Sequence, residues 1–233
     1  MLVSDTTFVV PALNEERLVG ACVRSILDEA PGCRVIVVDN GSTDLTARMA
    51  VGAGAEVIHE DRLGITSARQ RGLLAATTEW VAFVDADNEL PEGWMRAFVE
   101  GRDDCVAISG PPWFDGLGVL ARLLVFVFYC VGRASHEIMP MLQGGNFAVR
   151  RRVLLDVGGF DLDVEFYGED TETARRMHRA GRVRFDMGLW CYSSERRMVA
   201  EGLLRTGARY ALNYLWVWAL GHPLTRTHAD HRA

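Results

Sequence analysis

The sequence has few cysteines, and they follow no recognisable pattern. Five cysteines are scattered over 233 residues, with no CxxC pair and no spacing typical of zinc ligands. The first eleven residues also lack the basic stretch and long apolar run of a cleaved secretory signal. These absences argue against a disulfide framework and against export. We expect reduced thiols and a cytoplasmic protein.

The chain has no excess of positive charge and no flexible linker. Its formal net charge is −6, and no nucleic acid partner is expected, because binding to phosphates requires clustered basic side chains. No internal repeat or low-complexity tract divides the sequence. Hydrophobic residues make up 49% of it and charged residues 24%, which is typical of a globular protein. We therefore predict one domain spanning residues 1–233.

Long apolar runs are also scarce. The most apolar segment, Leu117 to Gly132, is interrupted by Arg122 and is shorter than the roughly 20 residues that a membrane span requires. A transmembrane helix is therefore not expected. We predict that Leu117 to Val131 forms a core helix, in preference to a helix that contacts a membrane.

A second candidate for membrane contact lies near the C-terminus, at Leu203 to Leu220. Arg205 and Arg209 stand there at helical spacing, followed by leucine, tyrosine and tryptophan side chains, a composition that suits an interfacial helix. The same aromatic side chains would equally suit packing on the domain or on a second subunit. Peripheral contact with the inner face of a membrane and the oligomeric state both stay open.

What the sequence does contain is a regular alternation of strand and helix signals. Continuous β-branched runs such as Val35-Ile36-Val37-Val38 indicate strands buried on both faces. Four strands are predicted in the first half: Thr7 to Val10, Arg34 to Asp39, Glu56 to His59 and Trp80 to Val84. Helices are predicted between them, beginning near Glu15, Asp44 and Gly64. This order predicts an α/β fold with a mostly parallel central sheet flanked by helices.

The second half is less regular. One strand is predicted at Gly145 to Val149, and helices are predicted at Arg152 to Val157 and at Glu169 to Ala180. Gly181 closes the last of these helices, since glycine commonly follows a helix C-terminus.

Polar loops follow three of the predicted parallel strands: Pro11 to Asn14, Asp39 to Ser42 and Asp85 to Asn88. Ligands of doubly wound sheets bind beyond the carboxyl ends of the strands, so we expect these loops to form one ligand site. Asp39 would there bind a nucleobase or a ribose hydroxyl. The alternative is a turn in which Asp39 serves only Asn40-Gly41.

The Asp85-Ala86-Asp87 segment brings two carboxylates to the end of a strand. Alternation along an extended backbone would direct both to one side, where their repulsion favours protonation or a bound cation. Hard oxygen ligands select Mg²⁺ or Mn²⁺. The alternative is that Asp85 and Asp87 cap a helix that starts near Pro91.

Two arginines lie near the start of the helix that follows Gly64. Arg69 and Arg71 are each placed to reach a base or phosphates, and exposure to solvent is the alternative. That alternative suits Arg71 better than Arg69 if only one of them faces the cleft.

Six short motifs occur in a fixed order over roughly residues 7 to 197. They are Pro11-Ala12-Leu13-Asn14-Glu15-Glu16, Val38-Asp39-Asn40-Gly41-Ser42-Thr43-Asp44, Asp85-Ala86-Asp87-Asn88, Gly144-Gly145-Asn146-Phe147-Ala148, Gly158-Gly159-Phe160-Asp161 and Gly168-Glu169-Asp170. Each motif alone is weak, but the ordered set closely resembles family 2 glycosyltransferases of the GT-A fold.

The resemblance implies a Rossmann-like GT-A sheet with a smaller acceptor-side subregion. It implies inverting transfer of a sugar from a nucleotide-sugar donor, a UDP-sugar being favoured, to a hydroxyl of a saccharide or lipid-linked acceptor, with Mn²⁺ or Mg²⁺ as cofactor. Residues 1–110 would bind the donor, residues 111–200 would carry the acceptor site and the catalytic base, and residues 201–233 would form a C-terminal helix and tail.

The resemblance also assigns roles to individual residues. Asp39 would contact the base, Asp85 the ribose or sugar, and Asp87, with Asp85, the metal, while Arg69 corresponds to a base-contacting arginine. The full set implied for the donor is Pro11, Leu13, Glu15, Asp39, Asn40, Arg69, Asp85, Ala86, Asp87, Gly145, Arg196 and Arg197.

Asp170, beside Glu169, corresponds to the family's general base. A positioned carboxylate that takes the proton of an attacking hydroxyl contributes about 10²–10⁴-fold to the rate. The alternative is that Glu169 and Asp170 only stabilise the N-terminus of the helix. The helix dipole would then lower the pKa of Asp170 and weaken it as a base. Burial against Trp113 or Phe166 would offset that effect.

The sequence departs from the family pattern after the last strand, where several relatives place a histidine or another basic residue. Arg196 and Arg197 stand there instead, and a guanidinium suits a diphosphate. His178 is interpreted as a surface residue.

Two other classes remain as alternatives. The first is an inactive nucleotide-sugar-binding module, which the intact acidic set disfavours. The second is a nucleotidyltransferase, which would carry a glycine-rich, basic loop where this chain has Pro11 to Glu16.

Overall fold

The computed structural model describes residues 5–136, 138–164 and 168–220, apart from the side chains of Arg197, Leu203 and Leu204. The first half alternates strands and helices: β1 (Thr6–Ala12), α1 (Val19–Glu29), β2 (Arg34–Asp39), α2 (Thr46–Gly52), β3 (Glu56–His59), α3 (Ile65–Ala75) and β4 (Trp80–Val84). The second half contains β5 (Asn88–Glu89), α4 (Trp94–Gly101), β6 (Ala107–Ser109), β7 (Pro112–Trp113), α5 (Val119–Ser135), β8 (Asn146–Arg150), α6 (Arg151–Asp156), α7 (Glu169–Ala180), β9 (Val183–Phe185), β10 (Cys191–Ser193), α8 (Arg196–Glu201) and α9 (Leu203–Leu220).

Seven strands form one sheet in the order β3-β2-β1-β4-β8-β6-β9. Only β8 runs against its neighbours β4 and β6, so the sheet is mostly parallel, as predicted. The chain turns from β1 to β2 on one side and returns to β4 on the other, which creates a switch point between β1 and β4. A small sheet, β5-β10-β7, lies at the carboxyl end of β4.

The sheet separates two hydrophobic layers. Phe8 and Val10 of β1 pack into the layer that contains α1 and α4, whereas Val9 packs into the layer that contains α3 and α7. Successive side chains of a strand point to opposite faces, so a strand covered on both faces needs apolar residues at every position. The β-branched run in β2 meets this requirement, and the predicted α/β fold is confirmed.

Helix α1 begins at Val19, and the prediction of a start near Glu15 was wrong. The backbone amides of Asn14 and Glu16 donate to Ser42 and Asp44 in the loop after β2, and the amide of Glu15 donates to Thr46 at the start of α2. Because these tertiary bonds satisfy the amides, the segment stays a loop and the helix starts later.

Helix α5 is not a core helix, so that prediction was also wrong. Tyr129 is its only buried residue among those described, and most of its large apolar side chains are exposed: Val119, Leu120, Leu123, Leu124, Phe126, Val127, Phe128 and Val131. The helix packs on the body through Val125 and Tyr129, beside Met141 and Phe185. Within the described ranges, none of the helices combines the length and apolarity that crossing a bilayer demands.

Helix α9 packs against α7 and α8. Thr206, Asn213 and Val217 face inward, whereas Leu212 and Leu215 are exposed. Part of its apolar surface therefore packs on the domain, and part does not.

Candidate functional site

The site is organised around Arg69, which α3 places at the carboxyl edge of the sheet. Its guanidinium donates to Asp85 Oδ1 at 3.0 Å, to Glu169 Oε1 at 3.2 Å and to the carbonyl oxygen of Gly144. The side chain is only 1% exposed. Burial by itself would lower the pKa of Arg69, but Asp85 and Glu169 raise that pKa above its ordinary value. Arg71 is exposed, so of the two arginines it is Arg69 that enters the site.

Residues 85–88 form a turn, in which the amide of Asn88 donates to the carbonyl oxygen of Asp85 at 2.9 Å. The extended backbone expected there was therefore wrong, although Asp85 and Asp87 still line the same cavity. Ala86 is buried in the core. The capping alternative is also wrong, because α4 begins at Trp94 and the amide preceding it donates to Glu29.

Gly145 allows β8 to approach this turn. A Cβ atom at Gly145 would lie 2.6 Å from Asn88 Nδ2 and 2.8 Å from Asp85 Oδ2, which is closer than real contacts allow. Asn88 Nδ2 donates to the carbonyl oxygen of Gly145 at 2.7 Å. A side chain at this position would therefore displace Asp85.

Arg196 connects two of the predicted site residues across the cleft. Its guanidinium lies 2.9 Å from Glu15 Oε1 and 3.2 Å from Asp87 Oδ2. The strand pairing of β10 with β5 brings this segment to Asp87, and the amide of Ser194 donates to the Asp87 carbonyl oxygen. The predicted companion, Arg197, has a side chain that lies outside the described part of the structure.

Asp170 lies in the first turn of α7. The left-handed Gly168 (φ 107°) directs the chain into this helix. Asp170 Oδ2 accepts from the Gly144 amide at 3.2 Å, and Oδ1 accepts from the Thr171 amide at 2.6 Å. Burial, followed by the nearby Glu169 carboxylate, raises the pKa of Asp170 to about 7, although the Thr171 amide opposes this shift.

Burial therefore has a larger effect on the pKa of Asp170 than its hydrogen bond with the Thr171 amide in the first turn of α7. The structure does not show Asp170 buried by the two side chains that were expected to cover it. Trp113 is 39% exposed and contacts Asp115 and Trp190. Phe166 lies outside the described residues. The carboxyl is instead enclosed by the walls of a cavity.

That cavity has a volume of about 390 Å³ and joins the two halves of the predicted site. On one side it is lined by Arg69, Asp85, Asp87, Gly145, Glu169 and Asp170. On the other it is lined by side chains of α5 and α9. Sequence reasoning missed Tyr129 and Gln143 in this lining, whose side chains share a hydrogen bond of 2.7 Å. The position of Gln143 directly before the Gly144-Gly145 pair was the one signal that pointed to it.

The remaining predicted donor residues, Pro11, Leu13, Asp39 and Asn40, do not line this cavity. Asp39 is buried, its Oδ1 accepts from the Ser42 amide at 3.0 Å, and its Oδ2 lies 3.4 Å from His59 Nδ1. Asp39 therefore takes part in a turn with Ser42, and its contact with a base or ribose stays a prediction.

Asn40 organises the loop that leads into α3. Its side chain donates to the carbonyl oxygens of Glu60 and Arg62 and accepts from the amide of Gly64. These bonds use both hydrogens of Nδ2, whereas Oδ1 accepts one bond and keeps one acceptor position. His178 is exposed, as predicted.

The carboxylates of this site are also candidate ligands for a divalent cation. Within the described chain, no group of three or more histidine, cysteine, aspartate or glutamate residues is arranged to hold a metal ion. Asp85 and Asp87 nevertheless offer two hard oxygen ligands in one cavity. Mg²⁺ is commonly held by one or two carboxylates together with substrate phosphates and water, so this pair fits such a cation.

The fold and cavity define a doubly wound α/β protein with an acidic cleft at the carboxyl ends of its strands. A family model described as glycosyl transferase family 2 matches residues 7–158, more than half of the chain. The chain belongs to glycosyltransferase family 2, and it is an enzyme of that class.

Relatives support the same conclusion. An uncharacterized glycosyltransferase of Mycobacterium tuberculosis is 38% identical over 168 residues, covering 66% of this chain and 72% of that protein. The pre-mycofactocin glycosyltransferase of the same species is 30% identical over 197 residues, covering 78% of this chain. The chain spans only 41% of the length of the latter protein.

Solved structures show the same GT-A fold. A mannosyltransferase of Pyrobaculum calidifontis, in complex with GDP-Man and Mn²⁺, has a TM-score of 0.76 and 22% identity, covering 98% of this chain and 66% of that one. Glucosyl-3-phosphoglycerate synthase of Mycobacterium tuberculosis, in complex with Mn²⁺, UDP and phosphoglyceric acid, has a TM-score of 0.65 and 21% identity, covering 91% and 78%. The chain thus spans just under two thirds of the mannosyltransferase chain.

Proposed function

We propose that this protein transfers a sugar, with inversion, from a nucleotide-sugar donor to a hydroxyl of an acceptor, assisted by Mn²⁺ or Mg²⁺. The observation that carries the proposal is the meeting of Asp85, Asp87 and Asp170 in one cavity with Arg69 at its edge. The two solved relatives described above bind a nucleotide or nucleotide sugar together with Mn²⁺, which supports the donor and the cofactor.

Residues 1–110 form the proposed donor half and residues 111–200 the acceptor half. In the donor half, Asp39 and the segment from Pro11 to Leu13 lie at the carboxyl ends of the adjacent strands β2 and β1, where a base and ribose would lie. Asn40 contributes by shaping the loop before α3. We favour a UDP-sugar, as the resemblance implies, and the GDP-Man complex of a relative makes a guanine donor the comparison to test.

Arg69 is proposed to act by positioning rather than by contact with the base. Its guanidinium is buried and is held between Asp85 and Glu169. Fixing both carboxylates in one geometry prepares them for the substrate before it arrives. The same contact neutralises part of the negative charge that a diphosphate must approach.

Asp87 and Asp85 are the residues that would hold the cation. A bound cation of this kind supplies charge stabilisation for the departing diphosphate. Arg196 is placed to assist, because its guanidinium already lies at Asp87 and is suited to phosphate oxygens. Glu15 holds Arg196 from the opposite side.

Asp170 is the proposed base. It accepts the proton of the acceptor hydroxyl as the oxygen bonds to the anomeric carbon and the nucleoside diphosphate leaves. A single displacement of this type inverts the anomeric carbon. A pKa raised to about 7 suits the role, because a base works best when its pKa is close to the working pH.

Calorimetric titration with UDP, GDP, dTDP and CDP, each in Mn²⁺ and in EDTA, tests the donor site without an acceptor. We expect one nucleotide to bind in Mn²⁺ and to bind far more weakly in EDTA. If none of the four binds in Mn²⁺, the donor-site proposal fails. If binding is equal in EDTA, the metal assignment fails while the donor assignment stands.

A further inference from the structure

The cavity that holds Asp170 has two chemically different walls. The wall opposite the carboxylates is built from α5, α9 and the segments beside them. Its polar members are Gln143, Thr206 and Asn213, and the others are mainly apolar or aromatic: Phe114, Leu124, Val125, Phe128, Tyr129, Met141, Leu142, Tyr210 and Tyr214. A ligand that spans the cavity therefore meets charge at one end and hydrocarbon at the other.

Helix α5 supplies this wall from one of its faces. Leu124 and Phe128 are one turn apart, as are Val125 and Tyr129, so the four side chains share a face. Leu124 and Phe128 are 48% and 40% exposed although both line the cavity. A contiguous exposed apolar surface of this kind commonly marks a binding site.

Two tyrosine hydroxyls in the wall form hydrogen bonds within the protein. Tyr129 donates to Gln143 Oε1 at 2.7 Å, and its ring stacks on Phe185 at 5.9 Å. Tyr214 donates to the carbonyl oxygen of Met139. Each of these hydroxyls has used its single hydrogen, so it can accept a hydrogen bond from a sugar but cannot donate one, and the ring faces remain apolar. Recognition of a saccharide depends on such hydrogen bonds, so the wall suits hydrocarbon better than a sugar.

We propose that the acceptor is an amphipathic molecule whose hydroxyl lies at Asp170 and whose apolar chain lies along the α5–α9 wall. This inference rests on the proposed function and names its acceptor class. In the transfer, the hydroxyl proton passes to Asp170, the acceptor oxygen bonds to the anomeric carbon, and the bond from that carbon to the phosphate oxygen breaks. The nucleoside diphosphate leaves with the bonding electrons.

The wall continues beyond the cavity. Leu120, Val127 and Val131, on the same helix, are all half or more exposed and extend the apolar surface outward. An acceptor chain longer than the cavity therefore stays in contact with apolar side chains where it extends out of the cavity. A membrane lipid and a free amphiphile share this chemistry.

The first test is a series of hexyl, octyl and decyl β-glucosides, each kept below its critical micelle concentration, titrated into the full chain with UDP and Mn²⁺ present. We expect the affinity to rise by about fourfold per added methylene, the fold-change that corresponds to about 0.8 kcal/mol per buried methylene. Glucose is the comparison without a chain and should bind more weakly than the hexyl glucoside. An affinity that does not depend on chain length overturns the proposal.

Two neighbouring leucines give a matched pair of variants. Leu124 lines the cavity and is 48% exposed, whereas Leu123 is 54% exposed and does not line it. Leu124→Gln should weaken octyl glucoside binding by about three- to tenfold, and Leu123→Gln should leave it unchanged. Both positions are exposed, so neither variant is expected to unfold the protein. Equal effects of the two variants would mean that the alkyl chain does not lie along the α5–α9 wall, and the proposal would be rejected.

Sedimentation with vesicles of equal parts phosphatidylcholine and phosphatidylglycerol distinguishes a membrane lipid from a free amphiphile as the acceptor. Co-sedimentation, together with chain-length dependence, supports the proposal with a membrane lipid as acceptor. Chain-length dependence without co-sedimentation supports it with a free amphiphile. The nucleotide titration is read independently: if no nucleotide binds but chain length still sets the affinity, the donor proposal fails and the apolar subsite stands.

Discussion

Helices α1 and α5 are both rich in apolar residues, yet they occupy opposite environments. In α1, Val19, Cys22, Val23 and Ile26 are fully buried against the sheet. In α5, Tyr129 is the one buried residue within the described chain. The apolar residues of α1 form a single stripe, which fixes the face that packs, whereas those of α5 surround the helix. Apolarity on all sides indicates contact with hydrocarbon but does not say whether that contact is within the protein.

The same difference separates the two walls of the site. On the sheet side the charged groups are paired within the protein, as Arg69 with Asp85 and Arg196 with Asp87. On the α5 side the surface is apolar and open. The first wall is preorganised for a charged donor, and the second is left incomplete until an acceptor covers it.

Asp170 stands between the two walls, and its substitution should have the largest effect. Asp170→Asn is expected to lower the transfer rate by about 10²–10⁴-fold, because the amide cannot take the proton of the acceptor hydroxyl. Nucleotide affinity should stay unchanged, since the donor wall is intact. Steady-state kinetics and calorimetry measure the two quantities. Asp156→Asn, on the exposed end of α6, is the control that should change neither. Wild-type turnover by Asp170→Asn would remove the base assignment.

The contrast between the helices is tested by a pair of truncations. Ile26→Ala should lower the free energy of unfolding by about 2–5 kcal/mol, because it opens a cavity in the core under α1. Leu120→Ala, at a position 70% exposed on α5, should change that free energy by no more than about 0.5 kcal/mol. Urea denaturation measures both. A comparable loss for Leu120→Ala would show that α5 is packed after all.

Asp87 tests the charged wall alone. Asp87→Ala should reduce nucleotide affinity in Mn²⁺ by about 10–100-fold, to the level measured in EDTA, because a carboxylate ligand of the cation is lost. Glu89→Ala is the matched control, since Glu89 is exposed and lies outside the cavity lining. A Mn²⁺ dependence that persists in Asp87→Ala would move the cation to other ligands.

The smallest expected effect concerns pH. The transfer rate should rise with pH through about 7, where Asp170 loses its proton, and Glu169→Gln should move this rise to lower pH because it removes a neighbouring negative charge. A profile of kcat/KM against pH measures both. Agreement between the profiles of wild type and variant would exclude Glu169 as a cause of the raised pKa.

The same shift has a consequence for stability. The folded state raises the pKa of Asp170 from 3.8 to about 7, so the folded protein binds the proton more tightly than the unfolded chain does. The contribution of this group to stability is therefore largest at low pH and is lost as the pH rises through that interval.

Much of the fold was predictable because its signals are local. The predicted bounds of β2, β3, β4 and α7 agree with the structure to the residue. Continuous apolar runs, bordering polar residues and helix-ending glycines are short-range features, so they can be recognised in the sequence without knowledge of the tertiary structure. The start of α1 was missed because the amides of residues 14–16 bind side chains of residues 42–46, about thirty residues further along the chain.

The site was predicted in its members more than in its contacts. Asp85, Asp87, Gly145 and Asp170 were expected together and line one cavity. The partners of Arg69 and Arg196 were not foreseen, because Glu169 lies 100 positions from Arg69 and Glu15 lies 181 positions from Arg196. No periodicity connects residues at such distances.

The sequence by itself determined the order of strands and helices, the sheet edge that carries the polar loops, and the carboxylates that stand there, since each follows from neighbouring residues and from the handedness of β-α-β connections. Tertiary structure alone decided which arginine each carboxylate meets, how far burial raises the pKa of Asp170, and that the apolar side chains of α5 face a cavity and solvent instead of the core. These depend on the packing of distant segments, where burial and charge pairing are set by what surrounds a side chain in space.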